Sequence, residues 1–387
     1  MKRVYSIDFV RGIVMIIMAL DHVRDIMHVN SISQSPINLT TTTPALFFTR
    51  WITYLCAPTF VFLAGTSAYL SFQKKENVSE SRKFLVKRGL WLILLEFTFV
   101  NFGLFADPGF HTFIFEVIAT IGFGFIVLSF LLKASARTIA IIGLLIIFLH
   151  DLFPLIPFAE NSFLKNIVTP FFSLNVFPLN AQRIFLMAYP PIPWLGIMLV
   201  GFASGKLFEK DIEKRKSIFF KIGASALTLF IIARFINVYG DPGVWAKQKS
   251  AVFTFLSYMN VSKYPPSLLF DLVTLGIMFL MLSFAEKANK KMTDIVSVYG
   301  KVPLFYFLLH FYFIHLLTII MLFLQGFHWS DFSFSTGTFG RPKAVESGLP
   351  LWGVYLVWIF VVLVLYKPCV WFGSYKASHK HWWLKYI

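Results

Sequence analysis

VPLFYFLLHFYFIHLLTIIMLFL, residues 302–324, runs for 23 residues without a formal charge. At about 1.5 Å of rise per residue such a helix spans roughly 34 Å, more than the roughly 30 Å of hydrocarbon in a bilayer. Comparable apolar runs lie near 6–28, 45–72, 89–105, 112–132, 138–156, 189–208, 218–237, 265–286 and 350–367. The pattern predicts an all-α polytopic membrane bundle of about ten helices, folded as one domain over residues 1–387. Composition agrees. Of 387 residues 57% are hydrophobic and 14% charged, with 47 Phe, whereas a soluble chain carries about 25% charged residues. Disordered, collagen-like and disulfide-scaffold classes are excluded. Cys56 and Cys369 form no framework or metal-ligand spacing and are expected as free thiols. The basic, apolar N-terminus resembles a signal peptide, but Asp8 and Arg11 interrupt it and no small-residue cleavage site follows. It reads as a retained first helix.

A net charge of +16 from 35 Lys+Arg would suggest nucleic acid in a soluble protein. Position decides otherwise. Alternating connections collect Lys2 and Arg3, the run from Lys74 to Arg88, Lys133 and Arg137, Lys206 to Lys216, Lys287 to Lys301 and the C-terminal tail, about two thirds of the 35 basic residues. The opposite, longer loops hold only Lys165, Arg183, Lys247, Lys249, Lys263, Arg341 and Lys343. Because cytoplasmic loops are enriched in Lys and Arg, both termini are expected in the cytoplasm, and the membrane is most simply the cytoplasmic (inner) one. The expected partner is the bilayer, not nucleic acid. The connections 157–188, 238–264 and 325–349 keep enough aromatic residues to pack at the interface.

Ionisable side chains inside spans are costly, at roughly 2.5–3.5 kcal/mol each, and mark function. The first helix has the most. Asp8, Arg11, Met15, Met18, His22 and Asp25 follow at spacings of three and four, and Asp21, Arg24, Asp25 and His28 make an adjacent stripe. Its far end thus offers two imidazoles, two carboxylates and a guanidinium, in which a carboxylate orients an imidazole as general base. Paired charges at a helix end, reaching to the headgroups, are the plainer alternative. Asp8 and Arg11, one turn apart, suit neutralisation or a tie to a neighbour. Arg50 is placed to meet Asp21 or Asp25, or a substrate anion. His310 is either a packing histidine or a second member of the site, with His315 closer to the side of His22 and His28. The five-residue spacing of His310 and His315 does not present a metal-binding face, so no metal is expected. Glu96, Asn101, His150 and Asp151 suit interhelical hydrogen bonds. The proline clusters AYPPIPWLG (188–196) and SKYPPSLLFDL (262–272) begin helices; their N-termini, with Lys263 adjacent, suit an anion or a plain interfacial cap. Gly196, Gly201 and Gly205 permit close helix contact. No P-loop, dinucleotide fingerprint, nucleophile elbow or H-E-x-x-H is present.

RVYSIDFVRGIVMIIMALDH (3–22) resembles the R-x-x-S-x-D-x-x-R-G opening of heparan-alpha-glucosaminide N-acetyltransferase-like membrane proteins, especially their short bacterial members. DHVRDIMH (21–28), TRWITYLCAPTFVFLAGTSAYL (49–70), YPPIPWLGIMLVGFASGKLF (189–208), SKYPPSLLF (262–270) and GKVPLFYFLLHFYFIHLL (300–317) extend the resemblance over nearly the whole chain. It implies a polytopic acyltransferase that moves acetyl from cytosolic acetyl-CoA to an acceptor across the membrane, in the animal enzyme the amine of a terminal glucosamine. The animal enzyme's catalytic histidine follows its opening helix; the nearest here are His22 and His28. DHVRDIMH replaces the glycine-rich stretch found there, so both stay open.

Acyl transfer from a thioester needs a base or nucleophile and donors for the developing oxyanion. The expected roles are His22 or His28 as base or acyl carrier, Asp21 or Asp25 as its orienter, and Arg24, Arg50, Lys263, His310 and His315 as substrate-binding or charge-stabilising groups. The acyl donor's phosphates suit the basic loops Lys74–Arg88 or Lys206–Lys216. The acceptor is expected to be an extracytoplasmic amine or hydroxyl, of an amino sugar or envelope glycan, and a homo-oligomer is compatible. A proton-coupled secondary transporter using the buried Asp, His and Arg groups is the alternative, although the halves show no convincing repeat and the charges gather at helix ends.

Overall fold

In the computed structural model, residues 4–74, 77–159 and 162–386 are described; Lys2, Arg3 and Lys75, assigned above to the cytoplasmic face, lie outside them. The helices are α1 Tyr5–Met27, α2 Pro44–Phe72, α3 Val78–Phe105, α4 Val117–Leu131, α5 Ala136–Leu155, α6 Phe163–Phe172, α7 Pro191–Glu209, α8 Ile212–Ile236, α9 Ala251–Met259, α10 Leu268–Ala285, α11 Lys290–Lys301, α12 Pro303–Leu324 and α13 Leu351–Ser378. Eight of them, α2, α3, α5, α7, α8, α10, α12 and α13, are long and apolar enough to cross a membrane. The remaining two expected spans are helices of another kind: α1 has 23 residues but carries Asp8, Arg11, Asp21, Arg24 and Asp25, and α4 is 15 residues long.

The bundle is helical but not purely so. The run expected to be helical from residue 112 opens as β1, Thr112–Phe115, which pairs parallel with β3, Ile184–Met187, while β2, Asn175–Pro178, lies antiparallel on the other side of β3. The Asn101 side chain accepts from Ile114 N–H and donates to the Thr112 carbonyl, satisfying the strand's backbone where no strand lies beside it. Alternating Phe and Ile fit the pleat, and an amide on the neighbouring helix makes that choice affordable.

Helix pairs close on glycine. A Cβ on Gly201 would meet the Phe62 carbonyl at 2.1 Å, and one on Gly65 the Met198 carbonyl at 2.1 Å, so α2 and α7 touch backbone to backbone. Gly300 on α11 lies equally tight against the Asp8 carbonyl of α1. Asp8 and Arg11 pair at 3.8 Å, and Arg11 also reaches Ser67 of α2, which ties the two helices as expected.

The basic connections gather at one end of the bundle. There Glu213 pairs with Lys287 at 2.7 Å, Arg215 pairs with Glu286, Ser6 donates to Glu286, and Tyr69 donates to Glu209. At the opposite end the 325–349 connection folds over α1. Arg341 donates to the carbonyls of His28 (2.7 Å) and Val29 (3.1 Å), and Leu349 N–H donates to the Met27 carbonyl (2.7 Å). A cation there suits the negative end of the helix dipole and its orphan carbonyls. Cys56 and Cys369 are free and buried.

Candidate active site

One residue step along a helix turns it by about 100°, so neighbours in the last turns of α1 serve different partners. Asp21 faces α2. Its carboxylate accepts from Arg50 Nη1 at 2.7 and 2.9 Å and from Thr53 Oγ1 at 2.7 Å, with Arg24 Nη2 also 2.7 Å away. Arg24 Nη2 also reaches Asp25 at 2.5 Å. Two carboxylates and two guanidiniums thus balance, which buried charges require. The anticipated meeting of Arg50 with Asp21 is present; Asp25 Oδ2 lies farther from it, at 4.0 Å.

His22 faces α12 instead. Its Nδ1 lies 2.6 Å from His310 Nε2, while His310 Nδ1 lies 3.1 Å from the Tyr306 carbonyl. A carbonyl only accepts, so His310 Nδ1 carries hydrogen and its Nε2 is the acceptor. His22 Nδ1 must then donate, which leaves His22 Nε2 as the basic nitrogen. Phe311 stacks on the His22 ring with centroids 4.3 Å apart. His310 therefore orients His22, the role the sequence suggested for Asp21 or Asp25; Asp21 is engaged by Arg50, Arg24 and Thr53 on the other face.

A cavity of about 270 Å³ opens beside this pair, lined by His22, Asp21, Asp25, Glu116, Lys263 and Tyr264, with Tyr189 also on its wall. Ile114 of β1, Leu186 of β3 and Phe339 of the 325–349 connection close it. The Lys263 ammonium lies 5.0 Å from the Tyr264 ring centroid and 5.8 Å from that of Tyr189, where the rings' negative faces stabilise it. The Glu116 carbonyl accepts from Thr120 N–H, but its carboxylate has no hydrogen-bond partner among the described residues. Burial, reinforced by Asp25 and Asp21 against the pull of Lys263, pushes its carboxyl up to about 7.

Two of the expected histidines stand apart. His28 caps α1 and does not line the cavity; burial and the nearby Arg24 and Arg341 lower its basicity. His315 Nε2 donates to the Leu104 carbonyl at 2.9 Å and also lies off the cavity wall. The lower-ranked candidates hold the scaffold together. Glu96 accepts from Ala119 N–H, His150 Nε2 donates to the Pro266 carbonyl, and Asp151 accepts from Leu268 N–H at the start of α10. Glu116 was missed, although it is the one acid between Asp107 and Asp151, because it lies inside a run taken as a single apolar span. Among the described residues no group of three or more His, Cys, Asp or Glu could hold a metal.

A second cavity, about 310 Å³, lies toward the basic end and carries Arg11, Arg88, Lys301 and Lys376. Phe60, Val117 and Phe307 line both cavities, so the two meet back to back across these side chains. The bundle therefore joins a basic chamber at one end to an imidazole at the other.

The family model described as heparan-alpha-glucosaminide N-acetyltransferase, catalytic, matches residues 3–239. No curated protein matches the chain.

Proposed function

Because the chain belongs to the heparan-alpha-glucosaminide N-acetyltransferase family, we propose that it transfers an acetyl group from cytosolic acetyl-CoA to an amine or hydroxyl on the far side of the membrane, an amino sugar or envelope glycan, with His22 as the general base. The single observation that carries this reading is the oriented His22–His310 pair beside a cavity that backs onto the basic chamber. Arg11, Arg88, Lys301 and Lys376 suit the donor's phosphates, and the apolar side chains between the chambers suit its pantetheine arm. Since cytoplasmic loops are enriched in Lys and Arg, we read that end, with both termini, as the cytoplasmic one.

In the reaction His22 Nε2 removes the proton from the acceptor's nitrogen or oxygen as that atom attacks the thioester carbonyl carbon. The carbon–sulfur bond breaks, and the thiolate leaves and takes up a proton. Lys263, on the cavity wall, stabilises the charge that develops on the carbonyl oxygen. Arg50, Arg24 and Thr53 position Asp21 and keep the end of α1 in place. The chemistry calls on no metal.

The test is purified protein with acetyl-labelled acetyl-CoA and glucosamine, scored for CoA release and for label on the amine. Turnover is expected, with Arg88→Glu raising the KM for acetyl-CoA several-fold while leaving saturated turnover largely intact. Absence of CoA release, together with pH-driven solute uptake in vesicles, would favour a carrier.

A further inference from the structure

The largest of these spaces lies outside the active site. α5 packs on α7, and α8 on α10, but α5 and α8 do not close on each other, and the space between the two pairs holds about 700 Å³. Small side chains keep it open: Ala140 on α5, Ala203 on α7 and Ala226 on α8. Leu144, Ile222 and Leu275 make it apolar along its length. Its polar groups sit at the two extremes. At the basic end are Arg137, Lys206 and Lys210, none with a carboxylate in ion-pair range among the described residues; Glu209, also on that rim, accepts from Tyr69. At the other end is Asp271, buried, with neither carboxylate oxygen hydrogen-bonded among the described residues, where the apolar lining stops.

We propose that this groove binds one anionic phospholipid from the leaflet at the basic end, its phosphate on Arg137, Lys206 and Lys210 and an acyl chain along the alanine-lined floor. Residues 136–148 of α5 cover roughly 18 Å of the groove, and one leaflet's hydrocarbon is about 15 Å deep, half of the roughly 30 Å core. The length thus matches one acyl chain. Cations clustered between helices at a membrane face attract anionic headgroups, whereas a zwitterionic headgroup gains little from them. Exposed apolar side chains on the flanking helices, Leu145 of α5 and Ile231 of α8 among them, put the groove's open side toward lipid.

The test is native mass spectrometry of the full-length protein, delipidated in detergent and then incubated with mixed micelles of phosphatidylglycerol or phosphatidylcholine. The wild type is expected to retain about one phosphatidylglycerol, with at least about a tenfold preference over phosphatidylcholine. Ala140→Trp with Ala226→Trp, which fills the floor, should abolish retention. Arg137→Gln with Lys206→Gln and Lys210→Gln should remove the preference. Equal retention of the two lipids by the wild type, or unchanged phosphatidylglycerol retention by the filled variant, would overturn the proposal. If the filled variant loses its melting transition, the surface Gln variant decides: an undiminished preference there overturns it as well. None of these residues lines the basic chamber or the His22 cavity on which the proposed function rests, so transferase activity is measured separately and either result stands without the other.

Discussion

His22 is set apart from the other histidines of the chain by what its neighbours do with their lone pairs. The Tyr306 carbonyl fixes His310, and His310 fixes His22, so the lone pair of His22 Nε2 is left open beside a cavity. Sequence spacing located His22 but not this orientation, because the partner lies 288 residues away and its face depends on how α1 and α12 meet. Arg341 escaped notice in the same way: it read as one more loop cation until the fold laid it across the end of α1. Glu116 makes a residue-level prediction. In the folded protein its carboxyl is raised from 4.5 to about 7 by burial and the nearby Asp25 and Asp21. The folded state therefore holds that proton more tightly than the unfolded chain, and this contribution to stability is fully present below pH 4.5 and lost as pH rises through about 7. Melting temperature should fall over that window, and Glu116→Gln should flatten the fall. An unchanged slope in Glu116→Gln would remove Glu116 as its cause.

Among the elements, the apolar spans were the readable part of the sequence. Each expected run holds a helix, since hydrocarbon leaves a backbone few other ways to satisfy its polar groups. The strand at Thr112–Phe115 was not readable, because its stability depends on β3, some 70 residues later, and on the amide of Asn101. Gly196, Gly201 and Gly205 were expected to allow close packing, and Gly201 does so against the Phe62 carbonyl. The α1–α11 contact is the more consequential, because α1 carries His22. A Cβ on Gly300 would lie 1.9 Å from the Asp8 carbonyl, so Gly300→Ala should destabilise the protein by about 1–3 kcal/mol and lower acyl transfer by shifting α1. Gly373→Ala on α13, whose Cβ would come no nearer than 3.9 Å to anything, should leave both unchanged. Thermal melts of the two variants in detergent check this, and equal effects would show that the α1–α11 seam can give way.

The whole molecule resolves the first puzzle of its composition, a chain both apolar and strongly basic. The basic connections converge on one end of the bundle, and Arg11, Arg88, Lys301 and Lys376 line a chamber there that meets the His22 cavity across Phe60, Val117 and Phe307. The family match ends at residue 239, yet His310 of α12 and Lys263 of the connection before α10 come from beyond it, so the candidate site draws on the later part of the chain. Sidedness is directly testable because the native thiols Cys56 and Cys369 are buried. A membrane-impermeant maleimide should label Lys247→Cys in intact cells and Lys380→Cys only after permeabilisation; the reverse would invert the topology. The most direct test of acyl transfer at the His22–His310 pair is the rate of labelled acetyl transfer from acetyl-CoA by His22→Ala and His28→Ala, compared at equal folded fraction. His22→Ala should lose at least about a hundredfold, the usual contribution of a general base, and His28→Ala should stay close to the wild-type rate. A His22→Ala protein that turns over normally while His28→Ala fails would contradict it.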